Sequence, residues 1–433
     1  MLQSFPPAAF HMADIPSDDI PLALPNNNPT GKNQYKECPS KDDPHVKKAL
    51  IEYHRRGITD RKKISQLLLA DHSIKISASS VARRRADLNL YASGKTMKTL
   101  SETTKRQLVL DQMSQDPSRH TGPRAMREAI ALEEGIHLTR DYIRSEMLLH
   151  DPDGFDVREP TAKKVPRTAL STPGLHYEWS GDGHDKLSAI GFPIWGVKEK
   201  WCTKWLGLWV VPNNRLKQTI AYLYLSLIEE VGGMPIQMTT DCGSETTRVF
   251  ALGNMLREVF SPDLDPNEHP VHRFLKSVHN ITVEKGWLQL RVKWSDNVKI
   301  YWEAGQGIYN PSDPHQYELV QWLWSKLIQD ELDRYRDKNN NHVVRFDKEK
   351  KLPSGTAPNI AYSLHAQYGI ENYLQPVDRN TIRELKEALG GEDLIRFVSV
   401  EYARRAEDIF GSLGVKLTFD TVWMIFQMMQ PLV

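Results

Sequence analysis

The order of predicted strands and helices in the middle of the chain constrains the fold more than any other feature of the sequence. Between residues 175 and 290, apolar residues first alternate with polar ones and later recur at three- and four-residue spacing. Alternation is typical of a strand, and the wider spacing is typical of a helix. The resulting order is three strands, helix, strand, helix, strand, helix. It predicts a mixed five-stranded sheet with helices packed on it.

The predicted strands are short and rich in aromatic and β-branched residues. They cover residues 175–179, 190–198, 205–211, 235–240 and 272–275. Five tryptophans lie between Trp179 and Trp209, and we expect them to form core rather than surfaces that stack on bases. The last helix of the pattern is long and begins at about Asn280.

The rest of the chain divides into further units. Residues 1–40 hold seven of the 26 prolines and show no sustained periodicity, which predicts a disordered tail. Composition and helical spacing then predict two all-helical units at 41–95 and 96–150 and a linker at 151–174. The α/β core follows at 175–305, and a helical C-terminal region at 306–433.

Positive charge is concentrated near the start of the chain. The whole sequence is nearly neutral, with 56 Lys and Arg against 55 Asp and Glu. Residues 41–100 alone hold 14 Lys and Arg against 6 Asp and Glu, a net charge of +8. This uneven distribution predicts an anionic partner that binds at one part of the molecule.

The basic block has the pattern of three short helices. Thr59 or Asp60 can cap the second helix, and Ser77 or Ser79 the third. Because the third helix carries Arg83, Arg84 and Arg85, the block predicts a helix-turn-helix that binds DNA with these arginines. The alternative is a three-helix bundle with a solvated charged face. Residues 96–150 repeat the three-helix pattern, and a second helix-turn-helix and a packing spacer are both open there.

Several common catalytic signatures are absent from the sequence. It has no GxxxxGK[ST] phosphate loop, no GxGxxG, no HExxH and no GxSxG. An NTP-driven motor or an ordinary kinase is therefore not expected. The three cysteines are far apart, which argues against a paired Cys/His zinc site and favours a reducing compartment. No apolar run reaches the ~20 residues that a membrane span needs, so no membrane partner is expected.

Three acidic residues stand at the ends of predicted elements. Asp182 ends the first strand, Asp241 follows the fourth, and Glu284 lies one turn into the long helix. Carboxylates that end neighbouring strands, joined by one from a nearby helix, can hold two hard cations ~4 Å apart. Such a site serves in-line displacement at phosphorus. A single acid in such a place is more often solvated or a helix cap, so the hypothesis depends on the order of all three.

Polar residues beside these acids are candidates for supporting roles. His184 and Lys186 could contact phosphate, although a lone histidine is more often structural. Asn280 lies four residues before Glu284 and hence on the same helical face, where it could orient a ligand, touch a phosphate or cap the helix. Asp185 and Glu245 are nearby alternatives for the acids of the metal site, and we expect both to face solvent or to bond to neighbouring groups.

Residues 175–305 resemble the integrase core of the DDE transposase and retroviral integrase superfamily. The resemblance rests on three motifs, Trp179-x-x-Asp182, Asp241-x-Gly243-x-Glu245 and Ser277-x-x-Asn280-x-x-x-Glu284-x-x-Trp287. An Asp-Gly-His-Asp-Lys-Leu string is also similar to that of integrase-core proteins from eukaryotic, especially fungal, mobile elements.

The resemblance implies a fold, an activity and partners. The fold would be a ribonuclease-H-like α/β core, preceded and followed by helical regions. Asp182, Asp241 and Glu284 would bind two Mg²⁺ or Mn²⁺ ions and would catalyse DNA strand cleavage and strand transfer. The resemblance further implies duplex DNA as the partner, at least a dimer to join two DNA ends, and a nuclear location.

Two departures separate the sequence from this family. The zinc-binding His/Cys N-terminal domain of retroviral integrases is missing, and the predicted helix-turn-helix units stand in its place. Gly286 lies two residues after Glu284, and a glycine there is expected to weaken the helix by ~1 kcal/mol relative to alanine.

Other functions remain open on the sequence alone. The first alternative is a domesticated, catalytically inactive protein that binds DNA or regulates transcription. A ribonuclease-H-type enzyme that acts on RNA would share the same metal site. A glycosidase carboxylate pair is a fourth hypothesis, but it would not need the basic N-terminal block.

Overall fold

The computed structural model describes residues 38–157, 170–275 and 280–433. Most of the predicted disordered tail at 1–40 and half of the predicted linker at 151–174 lie outside these residues. Ser277 of the third motif lies outside them as well.

The basic block folds into three helices, as its pattern predicts. These are α1 (Pro44–Arg55), α2 (Arg61–His72) and α3 (Ala78–Asp87). Asp60 and Ser77 are the N-caps of α2 and α3, because each side chain accepts a hydrogen bond from a backbone N–H of the first turn. The three helices enclose a small apolar core that includes Leu50, Leu68 and Val81.

The next unit is also helical. It contains α4 (Ser93–Thr99), α5 (Glu102–Ser114), α6 (Pro123–Glu134), α7 (Arg140–His150) and the short α8 (Asp153–Val157). This unit packs against the α/β core, since the amide of Asn297 donates to Asp116 at 3.1 Å and accepts from the backbone N–H of Ser118 at 2.9 Å.

The α/β core contains a five-stranded sheet. The strands of the described residues are β1 (Glu178–His184), β2 (Ile194–Glu199), β3 (Trp205–Val210), β4 (Gly233–Met234), β5 (Gln237–Asp241), β6 (His272–Leu275) and β7 (Gln375–Pro376). The main sheet has the order β3-β2-β1-β5-β6. Its first three strands are antiparallel, and β5 and β6 run parallel to β1. Strands β4 and β7 form a separate two-stranded ribbon.

Helices cover both faces of this sheet. They are α9 (Lys217–Val231), α10 (Thr247–Phe260), α11 (Ile281–Leu290) and α12 (Asp296–Glu303), with one π-helical turn between the last two. Along β2, Ile194 joins the apolar cluster that contains α11, while Trp195 joins the cluster that contains α9. The alternation of strand side chains thus gives two apolar layers. The order of elements and the mixed sheet confirm the expected ribonuclease-H-like fold.

The C-terminal region is helical and extends the core. Its helices are α13 (Pro314–Asn341), α14 (Pro358–Ser363), α15 (Arg379–Leu389), α16 (Val400–Leu413) and α17 (Val422–Met429). Helices α13 and α17 contribute to the cluster on one face of the sheet, and Ile382 of α15 joins the cluster on the other. Within the described residues, no helix is both long enough and apolar enough to cross a membrane.

Two details of this region differ from the expectations of the sequence. A run of three asparagines at 339–341 looks like a turn, but it forms the end of α13. The reason is tertiary, because the buried side-chain amide of Asn340 bonds to both the backbone N–H and the C=O of Trp205 at the edge of the sheet. The apolar pattern at 394–410 predicts one helix, whereas α16 begins only at Val400, after its cap Ser399.

Candidate active site

The register of the central strands puts two of the three predicted acids side by side. The parallel pairing of β1 and β5 aligns Ser180 with Thr239. Asp182 and Asp241 lie two residues further along their strands, so they share one face and one end of the sheet. β1 is longer at its C-terminal end than the sequence predicts, and Asp182 therefore lies inside it rather than at its end.

Helix α11 brings the third acid to the same place. Asn280 and Trp287, on either side of Glu284, both contact β1. The side-chain amide of Asn280 accepts from the hydroxyl of Ser180 and donates to the carbonyl of Gly181 at 3.3 Å. The indole Nε1–H of Trp287 donates to Asp182 Oδ2 at 3.0 Å. The helix is thus held to β1 on both sides of Glu284, and all three acids line one cavity of about 400 Å³.

The charges of the acids interact across this cavity. Burial and, after it, the carboxylates of Asp241 and Glu284 raise the pKa of Asp182 to about 7, against hydrogen bonds from Trp287 and the backbone of Gly183 that lower it. Ionised Asp182 is therefore unfavourable without a nearby cation. Repulsion of this kind is the expected property of side chains that bind a cation together.

The three acids face one cavity but do not form a closed ligand cage. In the part of the chain that the structure describes, no three His, Cys, Asp or Glu side chains are grouped closely enough to hold a metal ion as they stand. Their chemistry nevertheless fits Mg²⁺ or Mn²⁺, which prefer oxygen ligands and commonly use a few carboxylates with water. A bound cation would relieve the repulsion among the three carboxylates.

The residues predicted to contact phosphate have different positions. His184 is buried and its ring stacks on Trp287 at 4.9 Å; burial and then the charge of Lys186 lower its pKa to about 4. The ring is therefore neutral at neutral pH; His184 also lines the cavity, and its contact with phosphate stays a prediction. Lys186 is exposed and lines the cavity, as a phosphate contact would. Asn280 neither faces the cavity nor caps the helix with its side chain, because its amide is used to hold β1.

Arg215, which no motif in the sequence indicates, pairs with both of the neighbouring acids, Asp185 and Glu245. Its guanidinium bonds to Asp185 and also to Glu245, the latter at 3.3 Å. Asp185 accepts a further hydrogen bond from Asn214 at 2.8 Å. The expectation that Asp185 and Glu245 bond to neighbouring groups is confirmed. The one sequence signal for Arg215 is the pair of turn residues before it, which predicts a loop at this end of the sheet.

The glycine expected to weaken α11 has a packing role. A Cβ atom on Gly286 would lie 2.5 Å from the indole ring of Trp205, and one on Gly196 of β2 would lie 2.6 Å from the ring of Trp287. Both values are far below normal contact distance. The helix can approach the sheet, and so deliver Glu284, only because these positions lack a side chain.

The three arginines predicted to bind DNA do not point the same way. Arg84 donates to the carbonyl of Pro39 at 2.6 Å, and Arg85 donates to the carbonyls of Thr59 and Leu90. Both half-buried guanidinium groups therefore bond to backbone carbonyls of the protein itself, and a contact of Arg84 and Arg85 with DNA stays a prediction. Arg83 is exposed.

Comparison with known proteins agrees with this geometry. Residues 171–355 match the family model described as integrase core domain. The match covers the whole main sheet, α9 to α13 and the three acids, and it ends about 50 residues beyond the boundary predicted at 305. No curated protein matches the chain.

Proposed function

We propose that this protein cleaves and joins DNA strands with the help of divalent metal ions bound by Asp182, Asp241 and Glu284. The observation that carries the proposal is that these three acids line one cavity within the region that matches the integrase core model. This chemistry needs hard-metal ligands in a cavity that a long polyanion can reach, and this cavity opens to solvent.

The residues around the cavity have separable tasks in this proposal. Bound Mg²⁺ or Mn²⁺ would activate the attacking oxygen and stabilise the leaving oxygen of a phosphodiester. Trp287 and the backbone of Gly183 hold the carboxylate of Asp182 in one orientation. Lys186, Arg215 and Arg291 line the same cavity and would neutralise the phosphates of the bound strand.

The proposed substrate is duplex DNA, and the proposed assembly for joining two ends is at least a dimer in the nucleus. The test uses the full-length protein with supercoiled plasmid and with labelled linear duplexes. We expect nicking and end joining in Mg²⁺ or Mn²⁺ and neither in EDTA. A variant with Asp182→Asn, Asp241→Asn and Glu284→Gln is the control, and it should be inactive in every buffer.

Three outcomes would count against the proposal. Equal activity of wild type and triple variant would reject the assigned residues. Cleavage of an RNA–DNA hybrid in preference to duplex DNA would reassign the substrate. Tight DNA binding without strand chemistry in any metal would favour the catalytically inactive alternative.

Trp287→Phe is expected to reduce metal-dependent cleavage by roughly 10- to 100-fold, as loss of a hydrogen bond to a metal ligand typically does. The phenyl ring can still pack between His184 and Trp205, but it cannot donate to Asp182. Mn²⁺ affinity, measured by calorimetry on the DNA-free protein, should fall in parallel.

Trp205→Phe is the matched control for this substitution. Trp205 is equally buried, but its Nε1–H has no hydrogen-bond partner among the described residues. It should therefore lose stability without a comparable loss of Mn²⁺ affinity. If both variants bind Mn²⁺ as wild type does, Trp287 does not position Asp182.

A further inference from the structure

We infer that the outward face of α3, with Arg83 at its centre, enters the major groove of duplex DNA, and that Arg84 and Arg85 only fix the helix. The inference rests on the DNA substrate of the proposed function and assigns the part of the molecule that recognises it.

Arg84 and Arg85 anchor α3 from the inside. Arg84 bonds to Pro39, which precedes α1, and Arg85 bonds to Thr59 before α2 and to Leu90 after α3. Burial also lowers the pKa of Arg85, and one further guanidinium nitrogen of each side chain is enclosed by protein. Swinging either group out to a phosphate would leave backbone carbonyls without these donors.

Arg83 lies on the opposite, open side of the helix. Ser79, Arg83 and Ala86 are exposed and Ala82 is half-buried, so residues at i, i+3, i+4 and i+7 form one outward stripe. Three of these four side chains are small, which lets a helix backbone come close to base edges. The guanidinium of Arg83 donates to Ser80 Oγ at 3.2 Å, one turn earlier, and among the described residues its other N–H groups are available as a fork-shaped donor.

The charge next to this stripe suits a DNA backbone. The bond from Arg85 to Thr59 places the first turn of α2 beside α3, and that turn carries the exposed Arg61 and Lys62. The nearest acid on the helix, Asp87, is paired with Lys41 at 3.2 Å. Exposed cations beside a small-residue helix are an arrangement expected where phosphates flank a groove.

Helix shape favours duplex DNA over duplex RNA as the occupant. The major groove of B-form DNA is about 12 Å wide and admits an α-helix, and arginine pairs with guanine there through two hydrogen bonds. The major groove of A-form RNA is deep and too narrow for this approach. We therefore commit to B-form DNA, with Arg83 as the residue that reads a base.

The test compares three neighbouring arginines in the same helix. Duplexes that bind the wild-type chain are selected from a random pool in EDTA, where no strand chemistry is expected. Affinity is then measured by fluorescence anisotropy for Arg83→Lys, Arg84→Lys and Arg85→Lys. We expect Arg83→Lys to bind the selected duplex roughly tenfold more weakly and to relax the sequence preference, because lysine keeps the charge but loses the fork.

Arg84→Lys and Arg85→Lys should behave in the opposite way. Their affinity for DNA should stay within about twofold of wild type, while their melting temperatures fall because interior hydrogen bonds are lost. Unchanged affinity and sequence preference of Arg83→Lys would overturn the inference, as would equal binding of a double-stranded RNA of the same sequence. The cleavage-deficient triple variant should select the same DNA as wild type. The role of Arg83 in DNA recognition can therefore fail while the proposed strand chemistry stands, and the strand chemistry can fail while the role of Arg83 stands.

Discussion

Asp182→Asn is expected to lower the rate of metal-dependent DNA cleavage by about 1000-fold. An asparagine keeps the shape of the side chain but supplies only one neutral oxygen to a cation. Loss of several kcal/mol of charge stabilisation in the transition state corresponds to this factor, since each 1.36 kcal/mol changes a rate tenfold. Initial nicking rates at saturating Mn²⁺ give the measurement, and a loss smaller than tenfold would contradict the role of Asp182.

The same substitution should change how the stability of the metal-free protein depends on pH. The pKa of Asp182 is raised from 3.8 to about 7, so in this window the folded protein holds a proton that the unfolded chain releases. Its contribution to stability is therefore present at low pH and is lost as pH rises towards the folded pKa. Relative to Asp182→Asn, wild type should lose about 2 kcal/mol of unfolding free energy between about pH 5 and about pH 7.

Asp185→Asn is the control for both measurements. Partial burial raises the pKa of Asp185, but hydrogen bonds from Asn214 and Arg215 and the charge of Arg215 outweigh it, so the pKa is lowered overall. The stability of the protein should depend on the charge of Asp185 with the opposite sign, so that stability is lost as pH falls.

Mn²⁺ should stabilise wild type but not Asp182→Asn in urea unfolding, and equal stabilisation of the two would argue against a metal at this site.

Gly286→Ala is expected to destabilise the protein by about 2 kcal/mol or more, although alanine is the better helix former. The new methyl group would meet the ring of Trp205, which is fully buried and cannot move aside without disturbing its neighbours. Any shift of α11 also moves Glu284, so cleavage should fall together with stability.

Gly411→Ala gives the matched control. Gly411 lies within α16, and a Cβ atom there would have no heavy atom within 4 Å. The same substitution should therefore stabilise the protein by about 0.5 to 1 kcal/mol. Urea unfolding followed by circular dichroism would compare the two variants. If Gly286→Ala is as stable as wild type, close packing of α11 on Trp205 is not what requires the glycine.

Local patterns in the sequence predicted most of the elements. The alternation around Trp179 and Trp195 and the helical spacing in α9 are properties of a few adjacent residues, so they can be read without the fold. Element ends were predicted less well where long-range contacts decide them. Asn340 continues α13 instead of ending it because its side chain bonds to Trp205, 135 residues earlier.

In the candidate site, too, local sequence features predicted some properties and long-range contacts decided the others. Residue type and order were enough to select Asp182, Asp241 and Glu284. The roles of the groups around them depended on neighbours that are distant in sequence. Trp287 holds Asp182 across 105 residues, and the amide that was a phosphate candidate, Asn280, is held by Ser180 across 100.

By itself, the sequence determined the α/β class, the helical flanks, the basic block and the three acids, because each follows from periodicity, charge or residue type along the chain. Only the tertiary structure decided that the acids share one cavity, that Arg215 joins Asp185 to Glu245, and that Arg83 alone of its run faces outward. The physical reason is that burial and hydrogen bonding between distant segments set the direction and charge state of a side chain, and neither is encoded by its immediate neighbours.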